Sequence, residues 1–106
     1  MAQTVEFRSN GNMASGYLAT PSSGSGPGVL VIQEWWGLDE SIKRTADRIA
    51  SAGFFALAPD LYHGQVAGHD EMDKASQLMQ SLPPDRAGRD MSGAVDFLKT
   101  YKGVTG

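Results

Sequence analysis

Residues 32–38 read I-Q-E-W-W-G-L and place one carboxylate, Glu34, directly before two tryptophans, Trp35 and Trp36. Apolar surroundings disfavour the charged form of a carboxyl group, and each buried indole N–H needs a hydrogen-bond partner. Because an apolar run, residues 29–32, precedes this stretch, Glu34 is a candidate ionisable group at the end of a buried strand. The alternative interpretation is a solvated, inert carboxylate at a strand end, with the tryptophan side chains serving only in packing.

The other polar residues offer less chemistry. His63 and His69 stand six residues apart in a polar segment, with no converging ligands, and we interpret both as surface residues. Asp60 and Tyr62 are expected to hold the turn after a strand through side-chain hydrogen bonds. The charged run 85–90 is typical of a solvated helix start, and no spacing of potential ligands favours a metal site. We expect neither metal nor cofactor.

Composition excludes several classes of function. The chain has 106 residues, 41% of them hydrophobic and 20% charged, which is typical of one globular domain covering residues 1–106. A net charge of −3 with no lysine or arginine cluster argues against nucleic acid or an anionic membrane as partner. The absence of cysteine excludes disulfides and a cysteine nucleophile within these residues. With no apolar h-region at its start and no apolar run long enough to span a membrane, the sequence predicts a soluble, cytoplasmic protein.

The elements that must position Glu34 follow from periodicity and turn residues. Alternation around Asn10-Gly11 predicts a β-hairpin, and the continuous apolar run at 29–33 predicts a strand covered on both faces. Asp39 is a plausible N-cap for the helix that follows. The predicted elements are strands at 4–9, 13–20, 29–33 and 54–58, and helices at 40–52, 70–82 and 85–101. The order β-β-β-α-β-α-α predicts an α/β fold in which an antiparallel hairpin leads into a parallel β-α-β unit, with a sheet that looks incomplete. The segment 102–106 resembles the turn into a fifth strand.

The string VLVIQEWWGLDESIKRTADRIASAGFFALAPDLYHG, residues 29–64, resembles the first half of the dienelactone hydrolase (carboxymethylenebutenolidase) family of α/β-hydrolases. Q-E-x-x-G after one strand and A-P-D-L-Y after the next, about 26 residues apart, carry the resemblance. It implies a three-layer α/β/α fold and hydrolysis of an ester or lactone. It also implies that Trp35 supplies a backbone N–H to the oxyanion hole and that Glu34 controls ionisation of the nucleophile. Trp36 and Leu38 are the candidate substrate-binding residues.

One departure from the family pattern decides what this chain can do. No G-x-[S/C]-x-G nucleophile elbow occurs, so the nucleophile, acid and catalytic histidine have no counterparts among these residues. Met72 stands near the position of the arginine that the family uses for the substrate carboxylate. We therefore expect the N-terminal portion of a hydrolase, inactive alone and needing a second half before it can act on an ester or lactone. The alternative is a non-catalytic assembly or binding module.

The missing fifth strand also predicts association. Residues 29–32 (Val29, Leu30, Val31 and Ile32) would form an unpaired apolar edge, which is a template for pairing with another chain. We expect a homodimer or larger homo-oligomer that covers this edge. A nucleotide-binding β-α-β protein is less favoured, because the turn E-W-W-G offers no glycine-rich approach to a pyrophosphate.

Overall fold

The computed structural model describes residues 2–9 and 11–106. The strands lie at Ala2–Ser9 (β1), Asn12–Ala19 (β2), Gly28–Leu30 (β3) and Phe55–Pro59 (β4), and the helices at Glu40–Ser51 (α1), Met72–Ser81 (α2) and Pro84–Thr100 (α3). This is the predicted order of elements. β1 and β2 form the predicted antiparallel hairpin, although Asn10 of its expected turn lies outside the described residues.

The four strands form one mixed sheet in the order β1-β2-β4-β3. β2 is antiparallel to both β1 and β4, whereas β3 and β4 are parallel neighbours. β4 is therefore central and β3 lies at an edge. Because β3 and β4 are parallel, their carboxyl ends lie at the same edge of the sheet, and the loops that follow them are brought together.

Alternation along β4 divides the core into two layers, because successive side chains of a strand point to opposite faces. Phe55 and Leu57 pack on the side covered by α3, and Ala56 and Ala58 on the side covered by α1. The first layer also contains Phe7, Ala14, Leu18, Ala94 and Leu98, and the second Ala19, Val31, Ile42, Ala46 and Ala50. The result is the predicted three-layer α/β/α arrangement.

The two core helices differ in how well their buried faces are predicted by the sequence. The Asp39 carboxylate caps α1 by accepting a hydrogen bond from the Ile42 N–H at 3.2 Å, as expected. In α3 the spacing of apolar residues predicts a buried face of Met91, Ala94, Val95 and Leu98, and this is wrong in part, since Val95 is 38% exposed while Asp90 is 1% exposed. The face is centred on Asp90, Ala94 and Leu98, which are four residues apart, and Val95 lies about 100° away from it around the helix.

The edge strand β3 is shorter than predicted and is partly covered. Its hydrogen bonding to β4 continues only to Val31, whose N–H donates to Leu57 O at 2.9 Å. On the outer side, the segment 102–106 runs parallel to the residues that lead into β3, with a bridge between Gly26 and Val104. Gly28 N–H donates to Gly106 O at 2.8 Å. The segment therefore follows the direction expected of a turn toward a fifth strand.

The remaining free edge is confined to two residues. Successive residues of a strand direct their backbone N–H and C=O groups to opposite edges. The groups of Leu30 and Ile32 therefore point to the outer edge, as those of Gly28 do. In the part of the chain that the structure describes, neither makes a hydrogen bond there, and Ile32 is 47% exposed. No helix among residues 2–9 and 11–106 is long and apolar enough to cross a membrane.

Candidate active site

Two loops meet beyond the carboxyl ends of β3 and β4. The first, residues 33–37, contains the Q-E-x-x-G motif, and the second, residues 60–64, begins with the aspartate of A-P-D-L-Y. We call the first the oxyanion loop, after the role that the family resemblance implies for Trp35, and the second the support loop. In open α/β sheets this edge is where ligands bind, so the fold places both motifs where chemistry is expected.

The oxyanion loop is a tight turn closed by a hydrogen bond from the Gly37 N–H to the Glu34 carbonyl at 3.1 Å. Gly37 has a φ of 99°, and a Cβ there would lie 2.8 Å from the Gln65 carbonyl oxygen. Only glycine fits such a position without moving the neighbouring segment. Trp35 is a central residue of the turn, and its N–H makes no hydrogen bond to any described residue.

Three hydrogen bonds hold the oxyanion loop to the chain that follows β4. Leu61 N–H donates to the Gln33 side-chain oxygen at 3.0 Å, and the Tyr62 hydroxyl donates to the Trp35 carbonyl at 3.0 Å. Ala67 N–H donates to the Trp36 carbonyl at 2.8 Å. Burial raises the pKa of Tyr62 above its ordinary value, so its hydroxyl keeps the proton that it donates. The two motifs identified in the sequence therefore interlock.

The support loop has its own internal brace. The Asp60 carboxylate accepts a hydrogen bond from Gly64 N–H at 2.6 Å, and Asp60 N–H donates to the Ser15 carbonyl at 2.9 Å. Together with the Tyr62 hydroxyl bond, this confirms the prediction that Asp60 and Tyr62 hold the turn. The other Asp60 carboxylate oxygen is buried and has no partner among the described residues.

The Glu34 carboxylate and the two indoles lie in different environments. Glu34 is exposed, whereas Trp35 and Trp36 are half-buried with their ring centroids 5.1 Å apart. The indoles pack on each other and on His69, and they do not enclose the carboxylate. Of the two interpretations that the sequence leaves open, the exposure of Glu34 in these residues agrees with a solvated carboxylate at a strand end.

The candidate substrate-binding residues lie on different sides of the turn. Trp36 stacks against the His69 ring at 4.7 Å, and His69 Nε2 lies 3.1 Å from an Asp39 carboxylate oxygen. Leu38 packs against the core layer under α1 and lines a cavity of about 430 Å³ with Asp39 and Asp60. Trp36 does not line this cavity.

One cluster is not apparent from the sequence. The expectation of a solvated helix start is wrong for Asp90, whose carboxylate is buried and accepts a hydrogen bond from the Ser9 hydroxyl. Its other oxygen lies 2.6 Å from His63 Nε2. His63 and His69 are exposed, as expected of surface residues, but each also faces a carboxylate, which the sequence does not indicate. The feature of the sequence that indicates burial of Asp90 is its position four residues before Ala94, on the apolar face of α3.

Within residues 2–9 and 11–106, no group of histidine and acidic side chains is arranged to hold a metal ion. The groups available for chemistry at this edge of the sheet are a free backbone N–H at a strand end and an exposed carboxylate beside it. The hydrogen bonds between the two loops fix the backbone of the turn that carries both groups.

Comparison with known proteins decides the family. Residues 14–106 match the model of the dienelactone hydrolase family. The chain belongs to the dienelactone hydrolase family. The match leaves out residues 1–13, which include β1 and the first two residues of β2, and it includes both interlocking motifs.

Relatives and solved structures of dienelactone hydrolases agree with this placement. Protein usf of Aquifex pyrophilus is 44% identical over an alignment that covers 100% of the chain and 50% of Protein usf. A solved structure named m3DLH is similar at a TM-score of 0.79 and 28% identity, over 99% of this chain and 45% of that one. The dienelactone hydrolase-like promiscuous phosphotriesterase P91 from metagenomic libraries has a TM-score of 0.76 at 26% identity, over 100% and 45% of the two chains. The chain spans about half the length of the curated relatives it matches.

Proposed function

We propose that this chain supplies the first half of the active site of an ester or lactone hydrolase. The observation that carries the proposal is the Trp35 N–H, which has no acceptor among the described residues and lies in a turn fixed by three hydrogen bonds beyond the carboxyl ends of β3 and β4. A backbone N–H that is fixed in place and unused by the fold is what stabilisation of a developing oxyanion requires. Family membership supports this reaction class, and the dienelactone hydrolase name makes a lactone the first substrate to test.

The reaction assigns a role to each group present. A nucleophile outside these residues attacks the acyl carbon, and negative charge collects on the former carbonyl oxygen. The Trp35 N–H donates to that oxygen, while a second donor accompanies the nucleophile. Collapse of the tetrahedral intermediate breaks the bond from the acyl carbon to the ester or lactone oxygen, which leaves as an alcohol with a proton from the histidine outside these residues. Water then attacks the acyl carbon, the product leaves as a carboxylic acid, and the nucleophile is regenerated.

Glu34 would regulate the nucleophile once the second half of the fold covers it. Its exposure in this structure means that the apolar environment, which favours a neutral carboxyl group, has to come from the covering segment. A carboxylate placed between water and an apolar interface can take up the proton that the nucleophile loses. Trp36, half-buried beside it, would form part of the pocket wall.

The chain by itself should be inactive, because it has no cysteine and no G-x-[S/C]-x-G elbow. The test joins this chain to the second half of Protein usf and measures hydrolysis of 4-nitrophenyl acetate and of a dienelactone. The joined protein should turn over substrate, while the chain of 106 residues should match the buffer rate. Turnover by the chain alone, or none by a folded joined protein, would contradict the proposal.

Two variants of the joined protein isolate the proposed donor. Trp35→Pro removes the side chain and the N–H at a turn position that proline tolerates, whereas Trp35→Ala removes the side chain alone. We expect Trp35→Pro to lower kcat by about 100-fold or more relative to Trp35→Ala, the typical loss for one oxyanion donor. Equal kcat values in the two variants would exclude the Trp35 N–H as a donor.

A second candidate function is self-association, favoured by the free edge at Leu30 and Ile32. Their outward backbone groups have no partner in the described residues, and Ile32 is 47% exposed. We propose that a second copy pairs at this edge, within the predicted 29–32 stretch, to form a homo-oligomer. Sedimentation velocity should show a dimer that Ile32→Lys converts to a monomer, with the exposed Met13→Lys as the matched control. A wild-type monomer at tens of micromolar would exclude it.

A further inference from the structure

A buried carboxylate on α3 joins three parts of the chain that are distant in sequence. Asp90 is 1% exposed, and its two oxygens contact the Ser9 hydroxyl of β1 and His63 Nε2 of the support loop. A carboxylate this deeply buried is stable only when both oxygens have partners. The His63 contact is the only one of the two that reaches the candidate active site.

The backbone at His63 shows that its position is imposed. Its φ of 52° places it in the left-handed region, and among the described residues no other non-glycine residue has a positive φ. A bulky residue avoids this region unless the surrounding structure holds it there. The Asp90 contact, at 2.6 Å, is the hydrogen bond that the His63 side chain makes.

The same loop has a second attachment to α3 and two to the oxyanion loop. Arg86, one turn before Asp90, donates to the Leu61 carbonyl at 3.2 Å. On its other side, the support loop contacts the oxyanion loop through Leu61 N–H and the Tyr62 hydroxyl. The residue that binds Asp90 is therefore adjacent in sequence to Tyr62, whose hydroxyl holds the Trp35 carbonyl.

We propose that His63 is a positioning residue for the active site: it anchors the support loop to Asp90 and thereby sets where the Trp35 N–H lies. The inference rests on the proposed function for its chemical meaning, because the position of Trp35 matters to catalysis only if its N–H serves as the oxyanion donor. His63 itself touches no reacting atom. Its effect travels through Tyr62 to the carbonyl of Trp35.

The primary experiment uses the chain as it is, with amide hydrogen exchange measured by NMR. In His63→Ala, the amide of Leu61, which joins the two loops, and the amide of Gly37, which closes the turn of the oxyanion loop, should exchange about tenfold faster relative to Ala46 in α1. The ratio to Ala46 removes any general loss of stability. His63→Gln, which can still donate to Asp90, should restore the wild-type ratio.

Ser9→Ala provides the matched control, since it removes the other hydrogen bond of the same carboxylate. It should destabilise the contact between β1 and α3 and leave the Leu61 and Gly37 ratios unchanged. If Ser9→Ala loosens these amides as much as His63→Ala does, Asp90 acts through general stability and the proposal is wrong. The proposal is also wrong if His63→Ala changes all amides equally.

Kinetics of the protein joined to the second half of Protein usf separate this inference from the proposed function. His63→Ala should lower kcat by about tenfold with KM little changed, because an oxyanion donor acts mainly in the transition state. A selective loosening in a joined protein that has no activity would support the anchor and refute the hydrolase proposal. Activity that survives His63→Ala unchanged would refute the anchor alone.

Discussion

Gly93 marks a close approach of α3 to β1, and replacing it tests how the helix packs on the sheet. A Cβ at this position would lie 2.2 Å from the Arg8 carbonyl oxygen and 3.3 Å from Ser9 Cα. Both are backbone atoms of β1, so no change of side-chain rotamer relieves the overlap. Gly93→Ala must therefore push α3 away from β1.

The cost follows from what the displacement disturbs. Overpacking a well-packed core costs about 1–3 kcal/mol, and a clash with rigid backbone belongs at the upper end of that range. Gly88, on the same helix, is exposed, and a Cβ added there would meet no other atom within 4 Å. Gly88→Ala should therefore stabilise the protein by about 0.5–1 kcal/mol, because alanine loses less entropy than glycine on entering a helix.

Thermal and urea denaturation followed by circular dichroism measure both variants. Gly93→Ala should lower the melting temperature by more than about 10 °C and Gly88→Ala should raise it by about 3–6 °C. Gly93→Ser, which adds a larger side chain, should be at least as unstable as Gly93→Ala. A Gly93→Ala protein as stable as wild type, or two alanine variants of equal stability, would refute the close approach of α3 to β1.

Three further outcomes are expected. The hydrogen bond that Tyr17 donates to Asp47 raises the pKa of Tyr17 to about 12, so the stabilisation from this bond is complete below the ordinary pKa of 10 and is lost as pH rises toward 12. The difference in free energy of unfolding between wild type and Tyr17→Phe, measured in urea, should therefore shrink over that interval. A constant difference would contradict the prediction. His63→Gly should be more stable than His63→Ala by about 1 kcal/mol, since glycine adopts the left-handed backbone conformation without strain while both variants lose the Asp90 contact. Equal stabilities of the two variants would exclude backbone strain at this position. Gly37→Ala should cost about 2 kcal/mol and displace Tyr62 from Trp35, seen as a loss of their mutual NMR contacts, because its Cβ would meet the Gln65 carbonyl at 2.8 Å.

The fold is predictable from the sequence because its signals are local. Alternation around a turn, an N-cap at Asp39 and apolar runs at β3 and β4 each lie within a dozen residues, and the elements that they predict form in the expected order. Most boundaries of the helices and strands differ from the expected ones by one or two residues. β3 stops early because the oxyanion loop closes soon after it, which a run of apolar residues does not reveal.

The environment of the site is less predictable because it depends on contacts across the chain. Ser9 and Asp90 are 81 residues apart in sequence, and His63 meets Asp90 only after the support loop folds onto α3. A charge in the series 85–90 looks solvated when it is considered only with its sequence neighbours. The sequence leaves the environment of Glu34 open for a different, local reason, since residues adjacent in sequence can direct their side chains to different sides of a turn.

The pairing of Gly28 with Gly106 has a kinetic consequence for any strand that is added beside β3. Bringing two distant strands together requires closure of a loop, and the chain loses conformational entropy in that closure before the first hydrogen bond forms. Here the bonds at Gly26 and Gly28 already hold a parallel segment against the edge in a defined register. An incoming strand that continues in this direction would extend an existing ladder at Leu30 and Ile32, one residue pair at a time, with no new nucleation step.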